Sequence, residues 1–427
     1  MWQTDDFISP SGRNGMAWLR GYGVLLASLF SLVSRVYCLP ALSPSPSCEC
    51  GYSVNATSEP EHAVFTDLLE SDFTRITDLS ADTDWRPQVW ELNPDAALGP
   101  FGRAVRLQAV IPNPAVDLTA NSSGIYGGHA GLNLLVPHDP ILIKNLKYLI
   151  GAELDTARSD MFHGTFRIGY RTTKYPGTCF GFYWYHDDKQ EIDIELLSRQ
   201  SNDSTTLVNL VLHTPVGGTN QEALPGTYTV ASLPYDTSDD IHELRFDWTP
   251  AAISWYHDGT LLWTITNTTL FPRMPGHIVV THWSNGNPLW SGGPPEGNSA
   301  LLLTYVKAYF NSSDPTRQAD YNRRCGAAKA AGGNVGEQDR VCEIPSPVGP
   351  PRYDGVSADA LPYFFSNDVA RNATVNQTVY NPAGKSGAAA AADLSALAVV
   401  QYTVIVCGLT LMFAPRLTAG AAFPLLF

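Results

Sequence analysis

Positive charge is what this chain has least of. Only 16% of its 427 residues are charged, with 27 Lys and Arg against 41 Asp and Glu, giving a formal net charge of -14. No basic stripe could neutralise a phosphate backbone, which excludes nucleic acid as a partner. Also missing are a glycine-rich phosphate loop, a Ser-His-Asp order and a His/Cys zinc spacing, so no cofactor or motif-bound metal is expected. What is plentiful is 35 Gly, 31 Pro and 11% aromatic residues, the balance of a β-rich secreted domain with many turns.

Long apolar runs are confined to the two ends. Arg13 and Arg20 precede the run Gly23 to Val33, too short to span a bilayer but suited to a signal-peptide core. Residues 1–38 therefore read as a signal, cleaved after Cys38 or a few residues later, with Met16 an equally good start. Seven N-x-S/T sequons (Asn55, Asn121, Asn202, Asn267, Asn311, Asn372 and Asn376) fit passage through a glycosylating pathway. Residues 315–392 read as an irregular linker or stalk, rich in Pro, Gly, Ser and alanine. In 393–427, the nearly uncharged Leu394 to Ala414 follows small residues at Ser386-Gly387-Ala388. This is the pattern of a glycosylphosphatidylinositol attachment signal, with a true single membrane span as the alternative.

The densest cluster of ionisable groups is Glu191-Ile192-Asp193-Ile194-Glu195. Side chains of a strand alternate faces, so three carboxyls share one face while two isoleucines enter a core. A bare pattern of this kind marks the wet face of an amphipathic strand as readily as a site. Its neighbour tips the balance: Thr178 to Tyr185 is a second, aromatic strand candidate, joined to the first by the polar turn His186 to Gln190. Acids beside aromatic rings suit glycosidic bond cleavage. With retention, one carboxylate attacks while another gives and then recovers a proton, the two lying roughly 5 to 5.5 Å apart. Alpha carbons four residues apart in a strand are about 13 Å apart, so Glu191 and Glu195 must lean together over Asp193. Carboxyls this close do not all ionise; Glu191 is expected to stay charged and Glu195 protonated.

The segment resembles glycoside hydrolase family 16, whose signature is E-[ILV]-D-[IVAF]-E on a strand of a concanavalin A-like jelly roll. Similar in the same order are His163 to Ile168, the turn Pro176-Gly177, Leu244 to Gly259 with its closing Asp-Gly turn, Thr281 to Gly286, and Leu301 to Phe310. The resemblance implies an all-β fold, a sandwich of two curved antiparallel sheets, over residues 51–314. With no residue inserted in the pentad, it is closest to the regular-strand group of lichenases, xyloglucan transglycosylases and chitin-glucan crosslinking enzymes. Carried over by position, Glu191 is the nucleophile, Asp193 the assisting carboxylate and Glu195 the acid/base. Trp283, Tyr185, Trp184, His213, Asn209, Arg167 and Trp290 are the candidate sugar contacts. Arg167 stands where lichenase-like members often carry Glu, and Val211 is a second departure.

The resulting expectation is a secreted or wall-bound monomer, anchored by a C-terminal lipid or a single span, acting on a cell-wall β-glucan as an endo-β-1,3(4)-glucanase. A transglycosylase and a lectin-like module without catalysis are the alternatives. A structural calcium ion occurs in similar proteins and is left open. Cys48 and Cys50 are expected to pair with Cys325 and Cys342 in an oxidising compartment, leaving Cys179 a buried thiol.

Overall fold

The computed structural model describes residues 49–54, 63–116, 123–216, 223–330, 341–344, 349 and 364. The signal, most of the stalk and the C-terminal run lie outside these residues.

Aromatic and β-branched residues at every second position build two large sheets, as period-2 burial requires. One sheet runs in the order Ser201–Asn202, Thr205–His213, Gln190–Leu197, Cys179–Asp187, His277–Trp283, Leu146–Thr156, Gly102–Val105, Trp90–Leu92. The other runs Thr260–Ile265, Ile253–His257, His242–Trp248, Met161–Arg171, Ser299–Ser312, Gly131–Val136, Val110–Asn113. Pairing is antiparallel throughout both orders except between Leu146–Thr156 and Gly102–Val105, which run parallel. The expected all-β sandwich is what the chain forms. The Asp-Gly turn is there too: Asp258 (φ 46°) and Gly259 (φ 76°) both take the left-handed conformation that a tight hairpin needs.

Between the sheets lies one aromatic core. Phe180, Phe182, Trp184, Ile192, Ile194 and Leu196 meet Phe166, Ile168, Leu244, Phe246 and Trp248, all buried. Trp184 and Trp248 pack edge to face with centroids 4.7 Å apart, and Phe166 stacks on Phe246 at 5.0 Å. Such pairs contribute about 0.5 to 1.5 kcal/mol each beyond the area they bury.

Two sugar-contact expectations fail here, both through strand alternation. Trp184 shares its face with Phe180 and Phe182, is fully buried, and donates its indole N–H to the Met161 carbonyl at 3.1 Å. It is a core residue. Arg167 lies on the other sheet, on the face turned away from the core, opposite Arg245 and Lys307 in register and wholly buried. It cannot reach a groove on the first sheet.

A third correction concerns the segment assigned to a linker from residue 315. Pro315–Ala330 is a helix. Asp314 accepts a hydrogen bond from the Thr316 N–H at 2.7 Å, Pro315 occupies the first turn where no N–H is needed, and alanines follow. Arg317 pairs with the buried Asp67, and a disulfide joins Cys325 to Cys50 across 275 residues. Cys342 is also disulfide-bonded, and Cys179 is a buried free thiol; Cys48 lies outside the described residues. The low mean hydropathy of this stretch hid a helix that is held by charge pairs and a covalent link.

Closing so long a loop restricts the unfolded chain, an effect typically of 2 to 5 kcal/mol. Cys325→Ser should therefore lower Tm by several degrees in differential scanning calorimetry, with the strand content seen by circular dichroism unchanged.

Candidate active site

The acidic strand Gln190–Leu197 is extended, and its Glu191–Glu195 stretch pairs in continuous register on both sides, with a register shift just before it between Tyr185 and Asp187. Tyr185, Tyr183 and Gly181 stand opposite Glu191, Asp193 and Glu195 on one side, and His213, Val211 and Asn209 on the other. Ile192 and Ile194 are fully buried in the core, so Glu191, Asp193 and Glu195 share the opposite face. They line a cleft of about 530 Å³ together with Arg103, Tyr183, Asp188, Val211, His213, Ala223, Tyr228 and Trp290.

Burial pushes all three acids above the ordinary carboxylate range. For Glu191 the next cause is the Asp193 charge, and the two carboxyls share a hydrogen bond; both are raised strongly. Glu195 is raised less, because Cys179, Arg103, His213 and Trp290 each favour its anion. All three carboxyls are thus pushed toward their protonated forms, Glu195 least strongly.

His213 and Trp290 line the cleft, with His213 Nε2 3.3 Å from Asp193 Oδ2. Tyr185 lies on the cleft face and donates its hydroxyl to Asp188 at 2.9 Å. Trp283 carries the Arg103 guanidinium over its ring at 4.0 Å, so this indole is capped by a cation. Asn209 sits beneath the surface. It donates to the Glu195 carbonyl at 3.2 Å and to Gln200 at 2.9 Å, and it accepts the Tyr228 hydroxyl at 3.0 Å, fixing that ring at the cleft wall.

Sequence reasoning missed Arg103, Tyr183, Asp188 and Tyr228. Tyr183 was within reach, since it has the parity of Tyr185. Arg103 was not, because its strand joins the site only through a fold-level pairing. Among the described residues, two groups bring metal-ligating atoms within 4.8 Å of one another: Glu191, Asp193 and His213 in the cleft, and His242, His257 and Asp258 on the other sheet. The second is a closed hydrogen-bonded knot, with His242 Nδ1 on Asp258 at 2.7 Å and the two nitrogens of His257 on the Tyr170 and Tyr235 hydroxyls at 2.8 and 2.9 Å.

The profile of glycosyl hydrolases family 16 matches residues 118–299, a span that contains the acidic strand. This stretch of the chain is similar to family 16. A beta-glucanase of Paenibacillus polymyxa is 30% identical over 157 residues, 35% of this chain and 60% of that protein. Crh-like protein 3 of Botryotinia fuckeliana is 25% identical over 213 residues, 46% of this chain and 45% of that one. The chain thus spans less than two thirds of the length of these curated relatives. Among solved structures, a lichenase from a mouse hindgut metagenome aligns at a TM-score of 0.42 and 21% identity, covering 57% of this chain and 98% of that one.

Burial and a neighbouring acid also raise two carboxyls outside the triad to about 7: Asp84, beside Asp82, and Asp155, beside Glu153. Between the ordinary value of 3.8 and 7 the folded form holds protons that the unfolded chain has lost, so this stability disappears as pH rises through 7. Buried His257 and His282, lowered to about 4, act oppositely but only below 6.5. Tm should therefore fall as pH goes from 6 to 8, and Asp84→Asn should flatten that slope in a thermal-shift series.

Proposed function

We propose that this family 16 domain is a retaining glycoside hydrolase acting on cell-wall β-glucan, in the manner of an endo-β-1,3(4)-glucanase. One observation carries the reading: an unbroken acidic strand delivers three carboxyls into one aromatic-walled cleft. Glu191 attacks the anomeric carbon as Glu195 gives its proton to the departing oxygen and the glycosidic bond breaks. Water then attacks the same carbon, its proton passes to Glu195, and the bond to Glu191 is released. Asp193 shares a proton with Glu191 and releases it to the charge that Glu191 recovers.

A transglycosylase differs only in the second attacker, a sugar hydroxyl in place of water. The match to a Crh-like protein and the bulge-free strand support keeping this reading. An extracellular location is supported by the Cys50–Cys325 disulfide. Anchoring by lipid or by a span is proposed from sequence alone.

Glu191→Gln should abolish turnover of laminarin and lichenan with Tm nearly unchanged, and Glu195→Gln should slow it by about 10²- to 10⁴-fold. Reducing-end assays with mass spectrometry of the products check both: shortened chains support the hydrolase and lengthened chains the transglycosylase. Undiminished turnover by Glu191→Gln would remove the nucleophile. Binding without turnover by the unmodified protein would favour the lectin.

A further inference from the structure

Glu195 has a neighbour that neither the acidic pattern nor the two-carboxylate mechanism requires. Gly181 stands directly opposite it on the aromatic strand. A Cβ at 181 would lie 2.7 Å from Thr281 Oγ1 and 3.0 Å from a Tyr183 ring carbon, so that position is closed to any side chain. The Glu195 carboxyl meets instead the diagonal neighbour on the same face, Cys179, a pairing within reach of cross-strand side chains. Cys179 Sγ donates to Glu195 Oε1 at 3.4 Å and is completely buried. Burial and the Glu195 charge push the thiol well above its ordinary pKa, so it remains a proton donor across the working range. Arg103, stacked over Trp283, the His213 ring and the Trp290 hydrogen bond also face this carboxyl.

We propose that Cys179 is a positioning residue for Glu195: its thiol occupies Oε1, fixes the rotation of the carboxyl, and leaves Oε2 as the atom that exchanges the proton with the substrate. This rests on the acid/base role given to Glu195 above. In the first step the Oε2 proton passes to the leaving oxygen as the bond to Glu191 forms. In the second, the proton of the incoming hydroxyl returns to Oε2 as that bond breaks. Cys179 keeps its own proton throughout. A donor to the anion supports the second step, in which Glu195 must act as a base.

The test is the pH profile of kcat/KM on laminarin for Cys179→Ser, Cys179→Ala and Cys179→Val, with Tm measured alongside. Loss of a hydrogen bond to the anion raises the pKa of Glu195, so the Val and Ala variants should move the basic limb upward by about half to one pH unit. Cys179→Ser should hold the limb near its original place. A space-filling cysteine would lower Tm and rate without moving the limb, and that result overturns the proposal. The alanine variant serves if valine prevents folding. If laminarin is not turned over at all, a 13C NMR titration of the Glu195 carboxyl in the original and alanine proteins reads the same shift directly. A shift there sustains the role of Cys179 while the failed turnover counts against the proposed function; an unmoved carboxyl overturns the inference.

Discussion

Everything at the site depends on the register between three antiparallel strands, Cys179–Asp187, Gln190–Leu197 and Thr205–His213, which is continuous through Glu191–Glu195 and shifts between Tyr185 and Asp187. The side-chain period is two, so a slip of one residue would send Glu191, Asp193 and Glu195 into the core and Ile192 and Ile194 into the cleft. The core forbids it. Each isoleucine is held among aromatic rings from both sheets, and burying one such side chain is worth about 1.5 to 3 kcal/mol. The hydrophobic face thus sets the position of the catalytic face.

Three buried acids on one strand are costly, and the surroundings offset this unevenly. Glu191 and Asp193 meet through a hydrogen bond, while Glu195 is met by donors. Trp290 arrives on a loop that is itself tied down. Asn285 and Asn287 donate to the carbonyls of Ala97 and Leu98 at 2.6 and 3.0 Å, and Arg199 donates to the Leu289 carbonyl at 2.7 Å. These bonds bring the segment before Arg103 alongside the loop bearing Trp290, so both reach the cleft as part of one hydrogen-bonded wall.

The sandwich, the acidic strand and its aromatic neighbour could be read from the chain because alternation and a bulge-free motif are local properties. Cys179 could be read as buried, but not as a neighbour of Glu195, since that contact comes from a diagonal across two strands. Trp184 and Arg167 went astray for the same reason in reverse. Each sits within a segment that does form a strand, but its parity or its sheet takes it away from the groove. Arg103 carries no local signal, and the Pro315–Ala330 helix is too polar to show an apolar stripe. Its stability comes from partners at Asp67 and Cys50 that are distant in sequence.

The most direct test of the account is to trap the glycosyl-enzyme. Incubation with a slow 2-fluoro β-glucan oligosaccharide substrate, followed by proteolysis and tandem mass spectrometry, should place one sugar adduct on the peptide containing residues 190–197, esterified to Glu191. An adduct on another residue, or full turnover with inverted stereochemistry and no adduct, would contradict it.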